Sequence, residues 1–281
     1  ASLSGGTLIA EEGKAKITAH GVLQIKKLSA KDNATVEADH DVTLTEAEAG
    51  TLVISSDGSV NAGTLTATTG DAKVKAKTNV TIGTLTAETG GTTIEATDGA
   101  LDVTTLNAKS LTAKAGTTLS AKTLDVKEHA ELTSGGDMVL TEAHANTLTA
   151  NAGGKLTATT LGVTGAAGLT SGGAMEVSEA TVGSVMANAG STLHVKKLTS
   201  TGEATLTSKD EATLDDVTAG TLAAESTAGS VKAGTLTATT GDAKVTAKKD
   251  VTIGTLTAEA GGATIEATDG SILAEGKNAK I

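Results

Sequence analysis

The chain has 281 residues, including 53 Thr and 34 Gly, but it contains no Pro, Cys, Arg, Phe, Tyr or Trp. Without Cys it can form neither a disulfide framework nor a thiolate site, and without aromatic rings it offers no stacking surface for bases or sugars. The formal net charge of −11, from 22 Lys and 33 acidic residues, opposes binding to nucleic acid or to anionic membranes.

The beginning of the chain gives no targeting signal. Its first residues, ASLSGGTLIAEEGK, contain neither a basic start nor an apolar run. No segment approaches the roughly 18 consecutive apolar residues of a membrane span. We therefore predict no membrane insertion and expect any export signal to lie outside this sequence.

A long internal duplication dominates the sequence. Residues 59–99 and 230–270 are identical at 35 of 41 positions, at an offset of 171 residues. The similarity extends upstream, so that a block covering residues 23–99 is duplicated at 193–270. Repetition on this scale indicates a repeat architecture.

Shorter repeats and a two-residue alternation lie inside this block. The sequence GTLTA at 63–67 recurs at 83–87, which indicates a unit of about 19–20 residues. Thr64 and Lys75 are expected to point outward, and Leu65 and Val74 inward, as on short β-strands. Glycine-containing corners such as TTGD and ETGG separate these runs, so we predict three strands of three to five residues per unit.

One such unit cannot bury its apolar side chains alone, whereas stacked units can form a continuous interior. Stacking places Leu65 on Leu85 and outward Lys75 on Glu95, matching size inside and charge outside. These matches predict an all-β parallel β-solenoid. A β-sandwich is the alternative, but it gives no reason for near-identity at a multiple of 19.

The repeats have the form GxLxAxxGxxxLxAxxLxV, as in LTAKAGTTLSAKTLDV at 111–126 and in the segment 63–87. This pattern resembles the central repeats of the filamentous-haemagglutinin family of two-partner-secreted exoproteins. The resemblance covers essentially the whole chain and implies a right-handed parallel β-helix. The secretion domain of that family is not seen in this sequence, and an Arg-Gly-Asp motif is excluded because the chain contains no Arg.

The resemblance also implies a function. It implies a single repeat array over 1–281 that forms an internal segment of a longer protein. This array would be the rigid shaft of a secreted adhesin at the bacterial surface, presenting distal binding regions to host cells in cell adhesion and virulence. The implied partners are host receptors or glycans, contacted by the full-length protein, and an outer-membrane transporter during secretion. We predict no catalytic activity, cofactor or metal.

Three outward lysines suggest an alternative in which the solenoid itself binds glycans. Lys73, Lys75 and Lys77 alternate along one strand face, a geometry able to meet a sulfated polysaccharide. The second copy replaces Lys75 with Thr246, and Glu95 is expected to neutralise part of the charge. A charged, solvated face is therefore the competing interpretation, and Thr rows are included in the same alternative.

Thr-x-Thr motifs suggest a more remote alternative, an ice-binding face. They occur at Thr64/Thr66, Thr84/Thr86, Thr235/Thr237 and Thr255/Thr257. The segments LTAKAG, LTANAG and VMANAG are expected to occupy the corresponding positions in the middle of the chain. Because they lack the motif, we expect the regular face to be at most two coils deep.

Enzymatic alternatives have little support. The five histidines form no HxH or HExxH motif; they are His20, His40, His129, His144 and His194. If Asp39-His40-Asp41 lies on a strand, the two aspartates share a face that His40 does not. A lyase-like β-helix enzyme would need clustered acids and basic residues in a groove, whereas this chain has short corners and only Asp215-Asp216 as an adjacent acidic pair.

Overall fold

A computed structural model describes residues 2–274 of the chain. These residues form β-strands and short connections with no α-helix, so none of them belongs to a helix that could cross a membrane. The chain divides into two compact units, residues 1–139 and 140–281, which we describe one at a time. The strands pair in parallel in both units, with about 19 residues per turn, which confirms the predicted parallel β-solenoid.

The first unit contains nine complete strands, and its last two residues begin the tenth. They are β1 (Leu3–Ala10), β2 (Ala15–Ala19), β3 (Leu23–Ala38), β4 (Val42–Ser56), β5 (Val60–Ala67), β6 (Ala72–Ala76), β7 (Val80–Ala96), β8 (Leu101–Ala115) and β9 (Leu119–Ser134). Paired residues are separated by 18 to 21 positions. Val42, for example, lies between Leu23 and Val60.

The second unit repeats this arrangement. Its strands are most of β10 (Met138–Ala152), β11 (Leu156–Ser171), β12 (Met175–Ala189), β13 (Leu193–Ser200), β14 (Glu203–Ser208), β15 (Ala212–Ala219), β16 (Thr221–Ser226), β17 (Val231–Ala238), β18 (Ala243–Ala247), β19 (Val251–Ala258), β20 (Ala263–Ala267) and β21 (Ile272–Ala274). The duplicated sequence therefore repeats the same coils, since β17 lies 171 residues after β5, although the single strand β7 corresponds to the two strands β19 and β20.

Each coil has three straight segments, as predicted. In the coil formed by β4, the residues that pair with the next coil fall into three runs, 42–44, 46–49 and 52–56. We call these the first, second and third segments and use the names for the equivalent stretches of other coils. Backbone pairing often continues through the corners, so strands such as Val80–Ala96 reach 17 residues and exceed the predicted three to five.

Stacked aliphatic side chains fill the interior. Leu65, Leu85, Leu106 and Leu124 occupy one inward column of the first unit, and each is at most 2% exposed. The predicted stacking of Leu65 on Leu85 is thus confirmed. Inward residues are drawn mainly from Leu, Ile, Val and Ala, and burying them supplies the main driving force for stacking the coils.

Glycine and aspartate define many corners between coils. A Cβ on Gly229 would lie 2.5 Å from the carbonyl carbon of Asp210, so only glycine fits without movement. At another corner, Asp71 Oδ1 accepts a hydrogen bond of 2.8 Å from the Gly91 N–H in the next coil. Because buried or bent backbone needs hydrogen-bond partners, such aspartates help to fix the coil-to-coil distance.

Candidate functional surface

The three candidate glycan-binding lysines lie around β6, on the third segment of one coil. Lys73, Lys75 and Lys77 are all exposed, and the residues between them, Val74 and Ala76, are buried. The alternation inferred from the sequence is therefore correct. Lys77 follows the end of the strand, but its N–H still donates to the Ser56 carbonyl at 3.0 Å.

The central lysine of this row is paired, as expected. Lys75 Nζ lies 3.2 Å from Glu95 Oε2, directly one coil along the third segment. The hydrogen bond from Lys75 lowers the pKa of Glu95, opposed by some desolvation. Much of the positive charge of Lys75 is therefore balanced locally.

The structure places a fourth lysine, Lys114, on the same surface, and the sequence analysis did not identify it. It follows Glu95 in the same column, so that Glu95 lies between Lys75 and Lys114. Lys73 and Lys77 form no ion pair with a residue that the structure describes. The 19-residue separation of Glu95 and Lys114 was the signal that could have found this fourth lysine.

The equivalent surface of the second unit differs. Lys248 Nζ lies 2.7 Å from Asp269 Oδ2, whereas Lys77 forms no comparable pair within the described residues. Thr246 lies between Glu225 and Glu266 in its column, which makes this side more acidic. The duplication therefore repeats the coil but not the lysine cluster.

The histidines lie at different places on the two units. Three have an acidic neighbour: His20 with Asp39 at 3.1 Å, His144 with Glu142 at 3.1 Å and His194 with Asp215 at 3.4 Å. His40 and His129 are exposed. Within residues 2–274 no three His, Cys, Asp or Glu side chains are close enough to form a metal site.

The expected strand geometry of Asp39-His40-Asp41 is wrong. These residues form a bend between β3 and β4, and all three are exposed. The side chain of Asp39 contacts His20, while Asp41 Oδ1 accepts the Ser59 N–H at 2.8 Å. The chain bends here because the coil must return to its first segment, so period-two alternation does not apply.

The adjacent acids Asp215 and Asp216 are exposed in β15. Asp216 lies between Lys197 and Thr235 in one outward column, and Asp215 contacts His194. Both side chains face solvent because Asp215 lies at the corner between the first and second segments, where the alternation of a strand is interrupted.

Outward threonines form longer columns than the sequence suggested. The paired Thr-x-Thr motif does stop after two coils, because Thr86 is followed by Asn107. The Thr64 column, however, continues through Thr105. The assignment of LTAKAG to positions corresponding to this face is wrong, because Leu111 pairs with Thr92 on the third segment. The register between coils, rather than similarity of short motifs, identifies these columns.

No protein-family model matches the chain, and no curated protein or solved structure shows significant similarity to it. Its class is therefore defined by the coordinates: a parallel β-solenoid repeat protein. The specific properties implied by the haemagglutinin-like pattern remain proposals.

Proposed function

We propose that this chain is the rigid shaft of a secreted bacterial adhesin and holds distal binding regions away from the cell surface. The observation that carries the proposal is the in-register pairing of successive coils within each unit. Leu65, Leu85 and Leu106 repeat one buried position, and the backbone around each is paired on both sides. Hydrogen bonds and packing that repeat in this way resist bending between neighbouring coils.

This architecture also suits a protein whose length changes by duplication. Each coil contacts mainly its neighbours, so an added coil contributes its own packing without disturbing distant coils. Secretion to the cell surface through an outer-membrane transporter, and contact with host receptors or glycans by the full-length protein, belong to this proposal. They are supported by the repeat pattern quoted above.

In-phase and out-of-phase deletions test the repeat logic of the shaft. Deleting residues 60–100 removes two coils and joins a corner directly to Leu101, which can take the place of Val60. Deleting residues 60–89 removes one and a half coils and brings unlike segments into register. We expect protease resistance and β-rich circular dichroism to persist only in the first variant. Equal loss of both signals in the two variants would contradict independent, stackable coils.

The second candidate is direct glycan binding by the lysine surface of the first unit. Its support is the exposed cluster of Lys73, Lys77 and Lys114 around the Lys75–Glu95 pair. A charged polysaccharide would interact mainly through electrostatics, so binding should weaken as salt increases.

A binding assay distinguishes these functions. The chain and a Lys73→Glu/Lys75→Glu/Lys77→Glu variant are applied to epithelial cells and to sulfated glycans at physiological salt. A shaft without its own adhesive site predicts no saturable binding by either folded protein. Saturable binding by the chain that the variant loses would replace the spacer function with a glycan-binding one.

A further inference from the structure

Threonine columns lie on the second segment of both units. In the first unit the column is Thr64, Thr84, Thr105 and Thr123. In the second unit it is Thr181, Thr199, Thr218, Thr237 and Thr257. Successive members occupy paired positions, so their separation along the stack is about 4.8 Å, the spacing of neighbouring strands. Each unit therefore displays a regular row of hydroxyl and methyl groups.

These side chains are available to solvent. Every member of both columns is partly or fully exposed. None of their hydroxyl groups has a hydrogen-bond partner among the residues that the structure describes. Threonine has few side-chain rotamers because it is branched at Cβ, so the row loses little conformational freedom when it binds an ordered surface.

Glycine leaves the surface beside the densest threonines unobstructed. Gly63 and Gly83 occupy the corner next to Thr64 and Thr84, and a Cβ on Gly83 would lie 2.6 Å from the Gly63 carbonyl oxygen. The close approach of these two coils thus excludes a side chain at Gly83, whereas Thr45 and Thr104 occupy the same corner in the coils on either side. The duplicated coils have Gly234 and Gly254 at the equivalent places.

The densest patch of threonines occurs once in each unit. In the first unit, Thr66 and Thr86 add a second column beside Thr64 and Thr84. In the second unit, Thr235 and Thr255 stand beside Thr237 and Thr257 in the same way. Each patch is a two-by-two array without a charged side chain in it, and single columns continue beyond it.

We propose that these threonine arrays bind the surface of ice. Ice presents water molecules at fixed intervals, and a rigid row of alternating hydroxyl and methyl groups can order water with a similar regularity. Such a ligand requires neither a positively charged surface nor aromatic stacking, and these arrays contain only threonine in a chain without aromatic residues.

A neutral polysaccharide is the less favoured ligand. Without an aromatic ring, a sugar has less apolar surface to pack against. Hydrogen bonds from threonine to the sugar would replace hydrogen bonds that both groups already make with water, so they add little net binding free energy. Charged columns are poor candidates for ice, since ionised groups retain their own hydration. This restricts the proposed site to the threonine-bearing coils of the second segment. Lys27 and Glu46 precede Thr64 in its column, Lys197 and Asp216 precede Thr235, and the third segment carries lysines of its own.

Matched substitutions provide the test. The face variant is Thr84→Lys/Thr255→Lys, which alters both arrays; Lys27 and Lys197 already occupy these columns, so lysine is compatible with the fold. The control is Thr93→Lys/Thr264→Lys, which makes the same change on the third segment of the same coils. Its columns already contain Lys73 and Lys244.

Ice recrystallisation inhibition and the shape of single ice crystals are measured for all three proteins, after circular dichroism has confirmed equal β-content. We expect the unmodified chain and the control to inhibit recrystallisation and to shape crystals, and the face variant to lose both activities. Ordinary disc-shaped crystals with the unmodified chain, or equal activity in the face and control variants, would overturn the proposal. Either result leaves the shaft function standing, because that function does not depend on the threonine arrays.

Discussion

Leu85 offers a direct test of how the solenoid is stabilised. Its side chain is fully buried and lies between Leu65 and Leu106 in the stacked interior of the first unit. We consider Leu85→Ala, which removes volume without adding charge, and Leu85→Asp, which also places a carboxylate inside. Thr66→Ala is the control, because Thr66 points outward one coil away.

The expected cost follows from burial. Leu85→Ala removes about three methylene-sized groups, worth about 2.4 kcal/mol of transfer free energy at about 0.8 kcal/mol each. Incomplete closure of the cavity brings the expected loss to about 2–5 kcal/mol. Leu85→Asp should cost more, because its carboxylate would have to ionise unpaired in an apolar interior or become protonated there. Thr66→Ala should stay within about 0.5 kcal/mol.

Native-state hydrogen exchange is the appropriate assay. Repeat arrays often open coil by coil, so one melting temperature does not measure local stability. With a tenfold change for each 1.4 kcal/mol, exchange from residues 80–96 in Leu85→Ala should accelerate roughly thirty-fold to several thousand-fold, provided that it occurs through local opening. The effect should decrease in coils farther from the substitution.

Two results would refute this reasoning. One is unchanged exchange of residues 80–96 in Leu85→Ala, which would mean that the buried leucine column does not stabilise its own coil. The other is equal acceleration by Leu85→Ala and Thr66→Ala, which would mean that the inward and outward faces have been assigned incorrectly.

Three further predictions concern packing, corners and pH. A small void in the second unit is lined by ten aliphatic residues including Ala180, which lies between Leu161 and Leu198. Ala180→Leu should therefore raise the free energy of unfolding by about 0.5–2 kcal/mol in denaturant titrations, whereas Ala96→Leu, between Ala76 and Ala115, should lower it by about 1–3 kcal/mol. Gly229→Ala should lower the midpoint of thermal unfolding, because the added Cβ would lie 2.5 Å from the Asp210 backbone. Gly168→Ala should leave the midpoint unchanged, because the nearest atom to its Cβ is 3.9 Å away. Equal midpoints for the two variants would contradict the steric explanation. The pKa of Glu95 is lowered by Lys75, so its stabilisation should be present above its ordinary pKa of 4.5 and disappear as pH falls through the lower folded value. Glu95→Gln should remove a few tenths of a kcal/mol at neutral pH and reduce this acid dependence, and an unchanged pH profile would exclude a contribution from the pair.

The sequence was sufficient to predict the main structural features because inward and outward positions repeat. Leu65 and Leu85 occur at equivalent places in matching runs, and a stack is the arrangement that buries both. The Lys75–Glu95 contact followed from the same superposition. These predictions depend on the repeat length alone, which the duplicated block makes easy to determine.

Other features required the coordinates. The spacing between paired residues varies from 18 to 21, mainly because the corners differ in length. Motif comparison therefore placed residues 111–116 on the wrong face and did not connect Thr84 to Thr105. The bend at His40 was also missed, since alternation describes strands and not the residues that turn between them.

The unusual composition follows from the way one interior position is used. An inward side chain such as Leu106 contacts the same column in the coil before it and in the coil after it, with Leu85 and Leu124 as neighbours. A phenylalanine there would displace side chains in three coils, and relaxing one layer would compress the next. Proline would remove a backbone donor from strands paired on both edges. A stack with fixed coil spacing thus favours aliphatic residues of moderate size inside and threonine outside, which explains why length could grow by duplication without introducing new kinds of side chain.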